Sequence, residues 1–298
     1  MHFVVDRSRP RLLVSGPDAA AFLHRLSTQH VADLKPGDAR LAVLTTDKGR
    51  IKELIHHVVL ESGVLLIGHR QPAADLLAWL DRYLFTEKLT LDDVTAKTAC
   101  VDVDVETAES LVPGSRALAP WAMKQQGDVV VVRGFDRVTP QGAPMPGFVV
   151  VSFGTPLPPG DLSVDDDAAM GLAAGVPDLE LSEAHTPLDL DLHDAIHWAK
   201  GCYIGQEVIA RLDTYGKQRR HLVGLVGDPA GFKVGDHVVA AGTNVGTVTA
   251  VAPRGWGAGL PSAFAMVKIA SDVGDVVVGP ARSPARVAPR AAAQRPHE

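Results

Sequence analysis

Cysteine is almost missing from this chain of 298 residues, which holds only Cys100 and Cys202. Two thiols alone supply neither a disulfide framework nor a metal site. Positive charge is not in excess: 29 Lys and Arg face 35 Asp and Glu, for a formal charge of -6. No global field therefore gathers nucleic acid, and direct binding to it is not expected. The basic strip Arg211, Lys217, Arg219 and Arg220 is a local candidate for RNA, but it reads more simply as solvated surface charge. No apolar run approaches the roughly 20 residues of a membrane span. Met1-His2-Phe3 run directly into Asp6, Arg7 and Arg9, unlike the basic-then-apolar order of a signal peptide. No internal repeat of about 20–50 residues is found. These absences lead to the expectation of a reducing cytoplasm and no membrane partner.

What is present is an ordinary globular composition, 46% hydrophobic and 21% charged, in a chain long enough for two or three compact units. Gly16-Pro17-Asp18 opens a helix whose apolar face is Phe22, Leu23 and Leu26. Strands are expected at 41–46, 51–60 and 64–68, separated by Asp47-Lys48-Gly49-Arg50 and Ser62-Gly63, and a helix at 71–84. A second set follows: strands at 89–94, 99–105, 129–132 and 148–151, with a short helix at 108–112. Interleaved helices and direct hairpins indicate an α+β class, with helices covering an antiparallel sheet and ferredoxin-like elements in the middle region. Ser163-Val164-Asp165-Asp166, with Asp167, opens another helix, and its acids read as caps rather than metal ligands. From Leu222 onward, short β runs between glycine turns suggest a C-terminal antiparallel β-barrel. The expected division is 1–216 for the α+β region in two discontinuous sub-domains, 217–279 for the barrel, and 280–298 for a disordered tail rich in Ala, Pro and Arg.

The stretch Lys200-Gly201-Cys202-Tyr203-Ile204-Gly205-Gln206-Glu207 is a poor recipe for a core. Gly201 and Gly205 permit backbone conformations closed to bulky residues, and a helix is expected over 206–212 with Val208, Ile209 and Leu212 inward. Cys202 lies just before that helix and beside Lys200, two features that favour a thiolate. Tyr203 offers an aromatic face to a planar ligand, and Gln206 and Glu207 offer hydrogen-bonding groups to a heterocycle edge. The same residues also fit a glycine-kinked turn with Cys202 buried as a small hydrophobe.

The string KGCYIGQE, followed by Val208 and Arg211, resembles the signature of the YgfZ family of folate-binding proteins, which is related to the T-protein (aminomethyltransferase) of the glycine cleavage system. The resemblance extends through Val14-Ser15-Gly16, Phe22-Leu23, Leu26, Pro36-Gly37 and the run from Leu44 to Gly49-Arg50-Ile51. It continues in Ala174-Gly175-Val176-Pro177, Pro187 and the β-rich module after Gly216, so that it covers residues from about 10 to 279. It implies three sub-domains around a central channel, the last a barrel, with tetrahydrofolate or a one-carbon derivative as ligand. It also implies a role in assembling or maintaining iron–sulfur clusters in client enzymes, one of them a radical enzyme that modifies tRNA. The site residues implied are Cys202 and Lys200 as the functional pair, with Tyr203, Gly205, Gln206, Arg211 and Glu53 near the ligand.

Two segments depart from the relatives. T-proteins carry paired aspartates on the strand after the glycine turn, whereas this chain reads Lys52-Glu53-Leu54, with one acid where charge at a folate nitrogen would be stabilised. The helix that usually reads Arg-x-Glu-Ala-Gly here reads Gly171-Leu172-Ala173-Ala174-Gly175. Aminomethyl or methyl transfer and a scaffold without folate are therefore the rival expectations. Of the remaining candidates, His193 and His197 sit one helical turn apart near Asp191 and Asp194, half of a metal site at most. His56 and His57 point to opposite faces of a strand. Cys100 reads as a core or edge residue, and Gly255-Trp256-Gly257 as a turn that packs its ring.

Overall fold

The computed structural model describes residues 3–6, 9–268 and 274–288. Its first half is two antiparallel sheets laid back to back. One contains, in spatial order, β3 (Ala39–Thr45), β4 (Ile51–Leu60), β5 (Gly63–Gly68), β2 (Arg11–Ser15) and β6 (Thr90–Asp93). The other contains β1 (Val4–Asp6), β7 (Ala99–Asp104), β12 (Gly147–Ser152), β9 (Val129–Arg133) and β8 (Met123–Gln126). Helices α1 (Ala19–Leu26) and α2 (Ala73–Asp81) cover the outer face of the first sheet through Phe22, Leu23, Leu76 and Leu80. Helix α3 (Val105–Leu111) covers the outer face of the second through Ala108. Between the sheets, Val58, Leu65 and Ile67 meet Cys100, Val130, Val132, Val149 and Val151.

This layering explains why β9 and β12 are built around runs of valine and are buried along their whole length, while a strand with one wet face would alternate. Cys100 is a core residue here, and burial pushes its thiol up to about 11. β1 crosses from the chain's start to pair with β7, held where Asp104 accepts hydrogen bonds from Phe3 N at 2.8 Å and, as the cap of α3, from Glu106 N and Thr107 N. The sequence pattern did not indicate β1, β2 or β8; β1 and β8, three and four residues long, are edge strands.

The hairpin β10 (Arg137–Val138) with β11 (Pro144–Met145) leads through β12 to α4 (Val164–Ala173), whose cap Ser163 accepts from Asp166 N as the spacing predicts. Asp167 is not a solvated first-turn acid. It is fully buried and paired with Arg137, whose guanidinium also lies 3.6 Å from Asp102, itself paired with Arg9 at 2.6 Å. Two cations and two carboxylates thus alternate inside the molecule, which keeps the cluster neutral.

The C-terminal module is a closed six-stranded barrel: β13 (Arg220–Gly227), β16 (Ala263–Lys268), β15 (Thr243–Val251), β14 (His237–Ala240), β17 (Asp275–Val278) and β18 (Ser283–Ala288). The expected tail from 280 is corrected here, because β18 pairs with both β17 and β13 and closes the barrel. Its composition of Ser, Pro, Ala and Arg hid it, and Pro284 is tolerated without donating to a ladder. Ile269 and residues 289–298 lie outside the described residues. The barrel meets the first sheet and α4 at an apolar junction, where Phe264 and Met266 pack with Leu41, Val43, Leu54, Leu172, Leu190 and Leu192. Trp256, in the turn before β16, packs there and donates from Nε1 to Val138 O at 2.8 Å.

Candidate functional site

The Lys200–Glu207 loop is seated on the first sheet. Ile204 N donates to Arg25 O at 3.2 Å, and Thr45 Oγ1 donates to Ile204 O at 2.5 Å. Gly205, the N-cap of α5 (Gln206–Thr214), has φ +81° and lies directly against the β3–β4 turn. A Cβ there would overlap Thr46 O and stand 2.9 Å from both N and Cα of Gly49. Gly49 in turn has φ +65° and leaves room for Val208 and Ile209. Two glycines thus let two backbones touch, which fixes where the loop starts and α5 begins.

Cys202 is exposed and free, so the reading as a buried small hydrophobe falls. Lys200 does not turn toward it. Its ammonium donates to the carbonyls of His24, of Ser27 at 2.6 Å and of Gln29 at 3.0 Å, which binds the loop to the end of α1. Burial pushes Lys200 down to about 8. The expected tuning of the thiol by Lys200 is therefore corrected: the lysine is a clamp. Lys200→Met should cost about 1–2 kcal/mol in urea unfolding, because it strands buried carbonyls; unchanged stability would restore the tuning role. Tyr203 is likewise engaged, with Lys200 Nζ 5.2 Å from its ring centroid and the ring packed beside Leu188, Ile196 and Ile209. The ring is half-buried, and burial raises the phenol to about 12. Gln206 is half-buried at the start of α5, and Arg211 pairs with Glu207 at 2.7 Å on the exposed side of that helix.

Glu53 is also corrected. Its carboxylate is 1% exposed and accepts hydrogen bonds from the backbone N–H groups of Leu54, His69, Arg70 and Gln71, at 2.5–3.3 Å. Burial raises its pKa, and these N–H groups oppose the rise. A carboxylate with this many donors has no lone pair left for a folate nitrogen. It anchors the loop leading into α2.

The histidine pair also differs from expectation. His193 to Ala195 make one tight turn, and Ile196 is extended, so His193 and His197 do not share a helix face. Among the described residues no group of three His, Cys, Asp or Glu is placed to hold a metal. His56 and His57 do face opposite ways, His56 toward Arg9 and Asp102 and His57 toward Lys200.

The sequence reading overlooked Trp121. It follows Pro120 in a turn closed by Ala122 N donating to Ala119 O, and it has φ +67°. That left-handed position in a proline turn is normally held by glycine. Its ring stands 4.8 Å from Phe135 and 6.0 Å from His56, at the rim of the junction. The Pro-Trp pair was the only signal for it in the sequence. Asp194, between the junction residues Leu192 and Ala195, has a buried Oδ1 without a hydrogen-bond partner, and burial raises its carboxyl.

Residues 6–112 match the GCVT N-terminal domain. Over 92% of its length the chain is 27% identical to a chloroplastic protein of Arabidopsis thaliana named as a transferase, covering 67% of that protein. It is 26% identical to an aminomethyltransferase of Picosynechococcus sp., over 79% of this chain and 70% of that one. The crystal structure of glycine cleavage system aminomethyltransferase T from Bartonella henselae superposes with a TM-score of 0.75 at 19% identity, covering 97% of this chain and 84% of that one. No helix of the described residues is long and apolar enough to cross a membrane. The chain thus has the aminomethyltransferase-related fold, with a GCVT N-terminal domain and a closed six-stranded barrel at its C-terminal end.

Proposed function

We propose that this protein binds a reduced folate, tetrahydrofolate or a one-carbon derivative, at the junction of its three units, and that it supports iron–sulfur enzymes as an accessory protein of the YgfZ type. Cys202 is its functional thiol, and its partners are iron–sulfur client enzymes, one of them acting on tRNA. One contrast carries this reading: the thiol is exposed on a rigidly seated loop, while Glu53, the only acid of β4, is sealed by backbone amides. A transferase needs a free acid at the reacting end, and β4 offers none. The unpartnered Asp194 Oδ1 and His56 Nδ1 at the junction suit the nitrogen-rich edge of a pteridine. When bound, the folate supplies a carrier of one-carbon units.

Cys202→Ala should leave folding stability within about 0.5 kcal/mol, as for an exposed residue. It should fail to restore cluster-enzyme activity in cells lacking such a protein. Full restoration would remove the thiol from the function. The second reading, aminomethyl transfer, is favoured by the names of the relatives and the shared fold. Turnover of lipoyl carrier protein with ammonia and methylenetetrahydrofolate would establish it, and no turnover would exclude it. Calorimetric binding of tetrahydrofolate at micromolar concentration would rule out a scaffold that has lost folate.

A further inference from the structure

Trp121 is the most strained large side chain at the junction. A bulky residue at φ +67° is held there against its preference, and such strain gathers where a protein needs two arrangements. Two buried polar atoms near this indole have no hydrogen-bond partner, Nδ1 of His56 and Oδ1 of Asp194. They come from different parts of the chain: His56 from β4, with its ring 6.0 Å from the indole, and Asp194 from the link before the Lys200 loop. The indole is itself the hydrogen-bonding group that faces the Asp194 carboxylate, and it leaves Oδ1 unmatched. Buried polar groups are ordinarily paired, so two orphans beside one strained ring ask for a partner that is not part of the chain. Beside His56 and Phe135 a crevice of about 10 Å³ opens, lined also by His69, Arg9 and Arg137. That is room for about one water molecule and far too little for a heterocycle.

We propose that Trp121 is a gate: its indole fills the seat of a planar, nitrogen-rich ring, and when it swings aside the ligand pairs its N–H edge with Asp194 and a further polar atom with His56. The inference rests on the folate reading for the identity of the natural ligand, a 2-aminopyrimidinone ring. The site itself is defined by these three side chains. Asp194 is the ligand's acceptor, because a carboxylate receives two neighbouring N–H donors as one fork. Phe135, at 71° to the indole, is the wall left behind when the gate opens. Closed protein binds weakly in proportion to the time it spends open.

The test uses the full-length protein and two probes, tetrahydrofolate and the fragment 2-amino-4-hydroxypteridine, each titrated by calorimetry. Three proteins are compared: wild type, Asp194→Asn, which keeps the shape and loses the anionic acceptor, and Trp121→Gly, which suits the left-handed backbone and so preserves the fold. Asp194→Asn should weaken both probes by about tenfold or more, the worth of a charge-assisted hydrogen bond. Trp121→Gly should tighten both by about threefold or more, as expected when a competing side chain is removed. The fragment should also quench tryptophan emission in the wild type more than in Trp121→Gly. Tetrahydrofolate binding equally to all three proteins would overturn the gate and leave the folate reading intact. Fragment binding that follows the expected order without tetrahydrofolate binding would uphold the site and sink the folate reading. Binding of neither probe to any of the three would overturn both.

Discussion

Gly205→Ala should destabilise the protein by about 2–5 kcal/mol, more than any other single change in the Lys200–Glu207 loop. Two costs combine. A Cβ at this position overlaps the Thr46 carbonyl and comes within 2.9 Å of Gly49 N and Cα, all backbone atoms that cannot rotate away. The left-handed φ of +81° adds about 1 kcal/mol for any residue with a side chain. Relief requires lifting the start of α5 from the β3–β4 turn, which breaks the Thr45–Ile204 hydrogen bond and loosens the Cys202 loop. Loss of thiol function should accompany the loss of stability. Gly201→Ala is the control, because Gly201 also has a positive φ, +91°, but its Cβ would meet nothing within 4 Å. It should cost only about 1 kcal/mol. Equal urea midpoints for the two variants would mean that the contact with the hairpin does not hold the loop.

The loop illustrates what a sequence discloses. Glycines bracketing an aromatic and a thiol mark a kinked backbone before a helix, because that follows from local conformational freedom, and α5 begins at Gln206 as read. The direction of Lys200 was not legible. Proximity in sequence placed it beside Cys202, but the three carbonyls it meets belong to residues 24 to 29, brought close only by the tertiary fold. Glu53 was hidden for the same reason: an acid on a strand reads as available until the loop at 69–71 turns its amides inward. Strands β3, β4 and β5 were evident from their apolar runs and the turn residues between them, whereas β18 was concealed by alanine, proline and arginine. Its place is dictated by the gap between β17 and β13, not by its own propensity. Trp121 was passed over because an isolated aromatic after proline looks like surface, and only the backbone angle shows the strain.

Acid should unfold this protein through its paired strand histidines. His56 and His57 are both buried, and burial pushes each from an ordinary 6.5 down to about 3. Arg9 lowers His56 further against Asp102, and Lys200 and His56 lower His57. The native state therefore holds fewer protons than the unfolded chain between pH 6.5 and 3, so stability is full above 6.5 and falls as pH drops through that window. A gap this wide is worth up to about 4–5 kcal/mol for one histidine, and less than twice that for two that repel each other. Glu53 acts in the opposite sense, since its raised pKa favours the folded state at low pH, but it is a single group braced by four N–H donors. The histidines outweigh it. His57→Leu should flatten the slope of stability against pH between 6.5 and 3 and move the acid midpoint down by roughly one unit. It should also gain about 1 kcal/mol at pH 7, because both ring nitrogens of His57 are buried without a partner and leucine suits the core beneath α1. Circular dichroism across pH 7 to 3 measures the midpoint, and urea unfolding at pH 7 and 5 measures the slope. An unchanged slope in His57→Leu would place the acid sensitivity elsewhere, in groups such as His24 and His185, whose pKa values burial also lowers.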